Sequence, residues 1–343
     1  QNLVYADVDG TIGYQCTGLH PVRRAGDGTR PVPGWTAEHE WDGFVPYDEL
    51  PWAVDPERGW LATANDPTYP EDYPHLIGRD HHAAHRARRI GELLDARDDH
   101  TPETSRAIQR DTVSLPAREL LPLMDLGDPR ARALLDGWDA DLQADSAAAA
   151  IWQILIDELA RRALDHDEDL VAAYLTDREL FRCRALPGLL ADGSLSRDDL
   201  DDAFAAAWDR CEASMGPDPA TWRWGEIHRA RFVHPLGRMP GLEPVFVAAD
   251  LPLGGDEQTV NNARFEGDGP FQVSVAPSWR VVFDFADLDA SVGGLTTGQS
   301  GNPASPHWSD QAAAWAAGRL RALPFTRHAV EAAATSRLAL VPG

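Results

Sequence analysis

Asn2-Leu-Val-Tyr-Ala-Asp7-Val-Asp9-Gly10-Thr-Ile-Gly-Tyr14 is the stretch that decides how this chain is read. Apolar and aromatic residues lie on either side of Asp9-Gly10, a dipeptide that accepts the left-handed backbone of a tight turn. Asn2–Asp7 and Thr11–Tyr14 are therefore expected to be two strands of a hairpin. Asp7 and Asp9 could share a strand face, but astride a turn they read as solvated turn carboxylates.

Outward from the hairpin, three textures follow. Residues 1–79 are rich in Gly, Pro and aromatics, with Pro31-Val-Pro33-Gly34 and Pro46 as breakers. Gly59–Ala64 suits a short buried strand. Residues 80–230 read as helical. Thr101-Pro102, Asp128-Pro129, Ser146 or Asp145, and Ser196-Arg-Asp-Asp199 are start signals, and Gly216 is a stop. Residues 231–343 return to strands at Val245–Ala249, Phe271–Val275 and Trp279–Phe285, with a last helix over Asp310–Ala317. Blocks of strand, helix and strand predict an α+β fold rather than alternating βαβ units.

The 343 residues suffice for a sizeable core, with 43% hydrophobic and 25% charged residues. With 55 acidic against 31 basic residues, the net charge of −24 repels a phosphate backbone, so nucleic acid is excluded as a partner. Every Lys/Arg position is Arg. Biased coding and adaptation to concentrated salt both account for this. Cys16, Cys183 and Cys211 form no Cys-x-x-Cys pair, which argues against a disulfide framework or a cysteine-rich zinc site, although one disulfide stays open. No apolar run reaches the roughly 18 residues of a membrane span, and that around Ala147–Ile156 contains Gln153. No signal peptide opens the chain. Gln1 leads almost directly into a strand, which reads as a mature processed piece or a fragment.

Several local clusters invite chemistry. His81 and His85 would share a helix face and could bind zinc, but the Glu of a His-Glu-x-x-His site is missing. Gly298-Gln-Ser300-Gly301 lacks the spacing of a nucleophile elbow. Gly26-Asp27-Gly28 and Gly254-Gly-Asp256 read as turns. Asn65, after an apolar run and before Asp66-Pro67, could offer its amide to a cleft or simply cap a turn. Arg86 and Arg89 would share one helix face, with Arg88 elsewhere.

Taken in order, these pieces and others resemble the penicillin acylase family of N-terminal nucleophile hydrolases. The likeness runs through the opening hairpin, Arg24-Ala-Gly-Asp27-Gly, Trp41-Asp-Gly43-Phe-Val-Pro46, Thr63-Ala-Asn65, Asp72-Tyr-Pro74, and Arg86-Ala-Arg88-Arg-Ile. It continues through Gln109-Arg-Asp111, Ser114-Leu-Pro-Ala-Arg118, His234-Pro-Leu-Gly237, Gly254-Gly-Asp256 with Thr259-Val-Asn261, and Thr297-Gly-Gln-Ser-Gly301-Asn-Pro303.

The resemblance implies part of a four-layer αββα sandwich with a helical excursion, residues 1–79 carrying the oxyanion Asn. It implies hydrolysis of a linear acyl amide (penicillin, acyl-homoserine lactone or lipopeptide) by an N-terminal Ser exposed by self-cleavage. That Ser would lie upstream, so this chain would be the later part of a large subunit. It would be inactive alone, and its partners would be the small subunit and the start of the large one. The Ser uses its own α-amine as base, and an Asn side chain and a backbone N–H hold the oxyanion. Asn65 matches that Asn. Arg86 matches an Arg that holds the nucleophile end and the Asn in place. Asp66 stands where relatives often carry a second Asn. Relatives often bind a structural calcium through a carbonyl near the position of Gly28 and a carboxylate near that of His75. A structural calcium therefore stays open and unassigned, His75 being a poor ligand for a hard cation. No other cofactor is implied. The family is commonly periplasmic or extracellular. The alternative is an inactive binding or scaffold module derived from it. A fragment cut through a sheet would also expose unpaired strand edges and tend to aggregate.

Overall fold

The computed structural model describes residues 2–164, 167–267 and 271–340, so Gln1 lies outside the described residues. The chain divides into two compact units, Gln1–Asp98 and Asp99–Gly343.

In the first unit, β1 (Asn2–Ala6) and β2 (Ile12–Cys16) pair antiparallel, Tyr5 opposite Gly13. The Asp7 carboxylate closes the hairpin, accepting from the N–H of Asp9 at 2.9 Å and of Thr11 at 3.0 Å. Asp7 is thus a turn carboxylate. The Pro- and Gly-rich stretch holds more strand than its breakers suggest. β3 (Pro21–Arg23) pairs with β4 (Trp41–Phe44), and β5 (Trp52–Val54) adds to β2 in the order β1-β2-β5. The prolines flank these strands or, as Pro21 does, begin one, which a short edge strand tolerates.

The expected strand over Gly59–Ala64 does not form. The run pairs with no strand, and the chain turns sharply at Asn65, whose φ is +67°. Its apolar side chains are used anyway: Leu61 packs with Tyr14, Cys16, Val45 and Leu50 in a small core. A helix over His85–Asp95 completes the unit. Gly91 on this helix faces Trp60, whose ring edge lies 3.3 Å from where a Cβ would sit.

The second unit is built around the helix Ala147–Ala163, capped by Ser146, whose hydroxyl accepts from the Ala149 N–H. Ile151, Trp152, Ile154, Leu155, Ile156 and Leu159 are all buried, which explains the apolar run as a core helix. Each such side chain contributes on the order of 1.5–3 kcal/mol. The helix packs on Arg197–Met215, which starts at the expected Ser196–Asp199 capping box and stops at Gly216. Thr101 and Asp128 cap Pro102–Ile108 and Pro129–Leu135 as their Pro-led sequences require. No helix among the described residues is long and apolar enough to cross a membrane.

The strands return as expected. β6 (Arg229–Val233), β7 (Val247–Pro252), β8 (Arg264–Phe265) and β9 (Gln272–Val275) form a sheet in the order β7-β6-β9-β8. β10 (Trp279–Val282), β11 (Val292–Leu295) and β12 (Arg321–Ala322) form another. Val245 and Phe246 are helical instead, in the turn Glu243–Phe246 that Pro244 initiates. A helix follows at Ala312–Ala316, and a further one at Arg327–Ala333, capped by Thr326, escaped the periodicity because little of it is buried. The architecture is α+β. Cys16, Cys183 and Cys211 are all free thiols.

Candidate active site

The first unit brings Asn65 and Arg86 together. Arg86 Nη2 donates to Asn65 Oδ1 at 2.8 Å, across 21 residues of sequence. Three local features set this up. Asn65 has φ +67°, a left-handed conformation that Asn tolerates better than most residues. Asp66 folds back so that its Oδ1 accepts from the Ala64 N–H at 3.0 Å. The Asn65 carbonyl accepts from the His82 N–H at 3.2 Å, which ties the turn to the segment leading into the helix.

The contact fixes the amide. A guanidinium has only donors, so the amide oxygen must face it, and the Asn65 NH2 is the end turned elsewhere. Asn65 is exposed and Arg86 half-buried, so this NH2 is presented at a surface. Arg86 sits in the first turn of its helix, where a cation opposes the helix dipole by about 0.3–1 kcal/mol. Its first turn holds no acidic residue. The helix N-terminus and Arg86 together make positive potential beside the amide, which suits negative charge that develops on a reacting oxygen.

The other two arginines separate as helical spacing requires, with one refinement. Arg88 is exposed, but Arg89 is not turned to solvent: its side chain is 14% exposed and pairs with Glu92 at 2.9 Å. His81 and His85 do not share a helix face, because the helix begins only at His85. His81 instead meets the Tyr69 hydroxyl at 2.8 Å. Among the described residues no group of three or more His, Cys, Asp and Glu is arranged to hold a metal ion. The Ser300 hydroxyl accepts from the Asn302 N–H at 3.1 Å, a turn contact.

The two positions tied to calcium by resemblance have the following neighbours. His75 Nε2 meets Glu49 Oε2 at 2.6 Å. At Gly28 the nearest neighbour of a hypothetical Cβ is the Arg23 guanidinium, at 2.8 Å.

Sequence reasoning missed the cavity beside this pair. A cleft of about 780 Å³ is lined by Trp52, Trp60, Leu61, Asp66 and Arg88, among others, with Asn65 and Arg86 outside its lining. Trp60 Nε1 donates to Asp95 Oδ1 at 2.7 Å, and the Arg58 guanidinium lies 3.9 Å from the Trp60 ring centre. The two tryptophans, eight positions apart in a Pro-rich stretch, were the available signal.

Also missed was a buried polar network in the second unit. Asp157 accepts from Arg178 at 3.0 and 3.1 Å, from Arg182 at 3.1 Å and from the Tyr174 hydroxyl at 2.5 Å. Burial pushes the Asp157 carboxyl up, and the two guanidiniums more than reverse it. Gln153 links Arg182 to Asp256, at 2.8 and 2.9 Å. The Gly254-Gly-Asp256 turn is therefore an internal one, with Gly255 at φ +83°. Arg182 lies on a turn of π-helix, Phe181–Ala185.

Comparison with known proteins identifies the family. The Penicillin amidase family model matches residues 1–332. The acyl-homoserine lactone acylase QuiP of Pseudomonas syringae pv. tomato is 31% identical over all of this chain and 46% of its own length. The penicillin acylase 2 proenzyme of a Pseudomonas species is 34% identical over 99% of this chain, again across 46% of its own length. The chain thus spans about half the length of these curated relatives. A thermostable penicillin G acylase from Alcaligenes faecalis shares the fold, with a TM-score of 0.67 at 17% identity, over all of this chain and 67% of that one. The chain belongs to the penicillin amidase family.

Proposed function

We propose that this chain is the oxyanion-holding part of an acylase that hydrolyses linear acyl amides. The observation that carries the reading is the Arg86–Asn65 hydrogen bond, at the two positions that match the family's pattern. In this reading an N-terminal Ser, supplied by a segment upstream of Gln1, attacks the amide carbonyl with its own α-amine as base. The Asn65 NH2 donates to the tetrahedral oxyanion. Arg86 holds the amide in that orientation and, as a fixed cation, lowers the pKa of a nearby amine. Water then clears the acyl-enzyme.

The relatives named as acyl-homoserine lactone acylase and penicillin acylase supply the substrate classes. The lipopeptide class rests on the family resemblance alone. The upstream small subunit and the start of the large one would be the partners, matured by self-cleavage and exported. The chain's 46% share of those relatives supports such a longer protein. So does β1, where Leu3, Val4 and Tyr5 are 55%, 58% and 53% exposed, as in a strand that another segment covers.

The test is release of free amine from a penicillin and from an N-acyl-homoserine lactone by the full-length protein. Turnover of either, lost on replacing the upstream Ser with Ala, supports the reading. A full-length protein with no such Ser and no turnover points to the inactive binding module.

A further inference from the structure

We propose that Trp60 and Asp95 are positioning residues for the reaction: together they hold the helix His85–Asp95 in the register that lets Arg86 grip the Asn65 amide. The inference rests on the acylase reading above. The Trp60 indole N–H donates to Asp95 Oδ1 at 2.7 Å, across 35 residues of sequence. Trp60 lies five residues before Asn65, and Asp95 nine residues after Arg86. The segment 60–65 and the helix are therefore tied at both ends. One tie is the indole–carboxylate bond; the other is the Arg86–Asn65 bond, joined by the bond from the His82 N–H to the Asn65 carbonyl. At 1.5 Å per helical residue, the two ties stand about 13.5 Å apart along the helix.

Two residues of this helix are poor choices for a helix, and both meet Trp60. Asp95 closes it, where a carboxylate opposes the helix dipole. Gly91 lies inside it, where glycine is the costliest residue after proline. Asp95 supplies the acceptor for the indole. Gly91 makes room for the ring, since a Cβ there would lie 3.3 Å from its edge. Trp60 is itself held in place: Arg58 Nε donates to its carbonyl at 3.0 Å, and the Arg58 guanidinium lies 3.9 Å from the ring centre. At the helix start Ala84, in the N-cap position, makes no side-chain capping bond. The indole thus fixes the rotation and axial position of a helix whose first turn carries Arg86. The Asn65 donor counts only when the oxyanion forms, so a displaced clamp costs turnover and not substrate binding.

The experiment is steady-state kinetics and thermal melting of the full-length enzyme, on whichever of a penicillin and an N-acyl-homoserine lactone it turns over. Trp60→Phe, which keeps a ring and removes the N–H, and Asp95→Ala should each lower kcat about tenfold, with KM within about twofold of the parent. Asp95→Asn keeps an oxygen acceptor and should retain most of kcat. In an Arg86→Met background, Asp95→Ala should lower kcat no further, because a residue that acts through Arg86 has nothing left to position. If Trp60→Phe fails to fold, Asp95→Ala, a change at an exposed helix end, decides. The proposal is overturned by an unchanged kcat in folded Asp95→Ala, or by a loss that is equal with and without Arg86. Either result leaves the acylase reading standing. A parent that turns over neither substrate, or an unchanged kcat in Asn65→Gly, removes both.

Discussion

Arg86 Nη2 donates to the side-chain oxygen of Asn65 at 2.8 Å, and this bond decides which end of the amide is offered outward. A donor-only guanidinium cannot face the NH2, so it acts as an orienting clamp.

If the outward NH2 is the oxyanion donor, Asn65→Gly in the full-length enzyme should lower kcat by about 10²–10³. Glycine is the right replacement. Asn65 has φ +67°, where Ala would add backbone strain of order 1 kcal/mol and blur the result. Steady-state kinetics beside a thermal melt check this: an unchanged kcat in a folded Asn65→Gly variant would refute the assignment.

Arg86→Met should have a milder effect on rate and a distinct one on pH dependence. A fixed cation disfavours a protonated amine nearby, so its removal raises the amine's pKa. The acid limb of the kcat/KM profile should therefore move to higher pH. A limb that stays in place would leave Arg86 a structural role only.

Glu257 gives a pH signature of stability that is independent of activity. Burial pushes its carboxyl up to about 7 from an ordinary 4.5, with Arg182, Arg178 and Arg264 opposing the rise and Asp256 adding to it. The folded state thus favours the proton. The contribution is complete below about pH 4.5 and is lost as pH rises through about 7, on the order of 3 kcal/mol in all. Glu257→Gln should remove that fall, so the difference between variant and parent in urea unfolding should grow from pH 5 to pH 8.

Asp157 is the counterpart. Its pKa is lowered by the two arginines against the effect of burial, so its contribution is present at neutral pH and lost on acidification. Asp157→Asn leaves Arg178 and Arg182 buried, at 1% and 5% exposure, without their shared carboxylate. A loss of about 3–5 kcal/mol is expected in denaturant unfolding at pH 7.

What could be read in advance follows from the range of each interaction. Ser196 with Asp199, Thr101 before Pro102, and the Asp7–Gly10 turn act within a few residues, so their sequences announce the helix starts and the hairpin. Gly59–Ala64 misled because a short apolar run looks alike in a strand and in a loop packed on a core. The α+β class was legible from texture, whereas Asn65 and Arg86 were singled out only through the family resemblance.

The sequence by itself thus determined the caps, the hairpin, the core helix and the family likeness, since each depends on neighbours along the chain. Only the tertiary structure decided that Arg86 clamps Asn65 across 21 positions. It alone showed that Asp157 gathers Arg178 and Arg182, and that the Trp60 indole reaches Asp95. Those pairings depend on where the folded backbone carries each charge, and charges interact through space with a strength set by distance and burial, not by spacing along the chain.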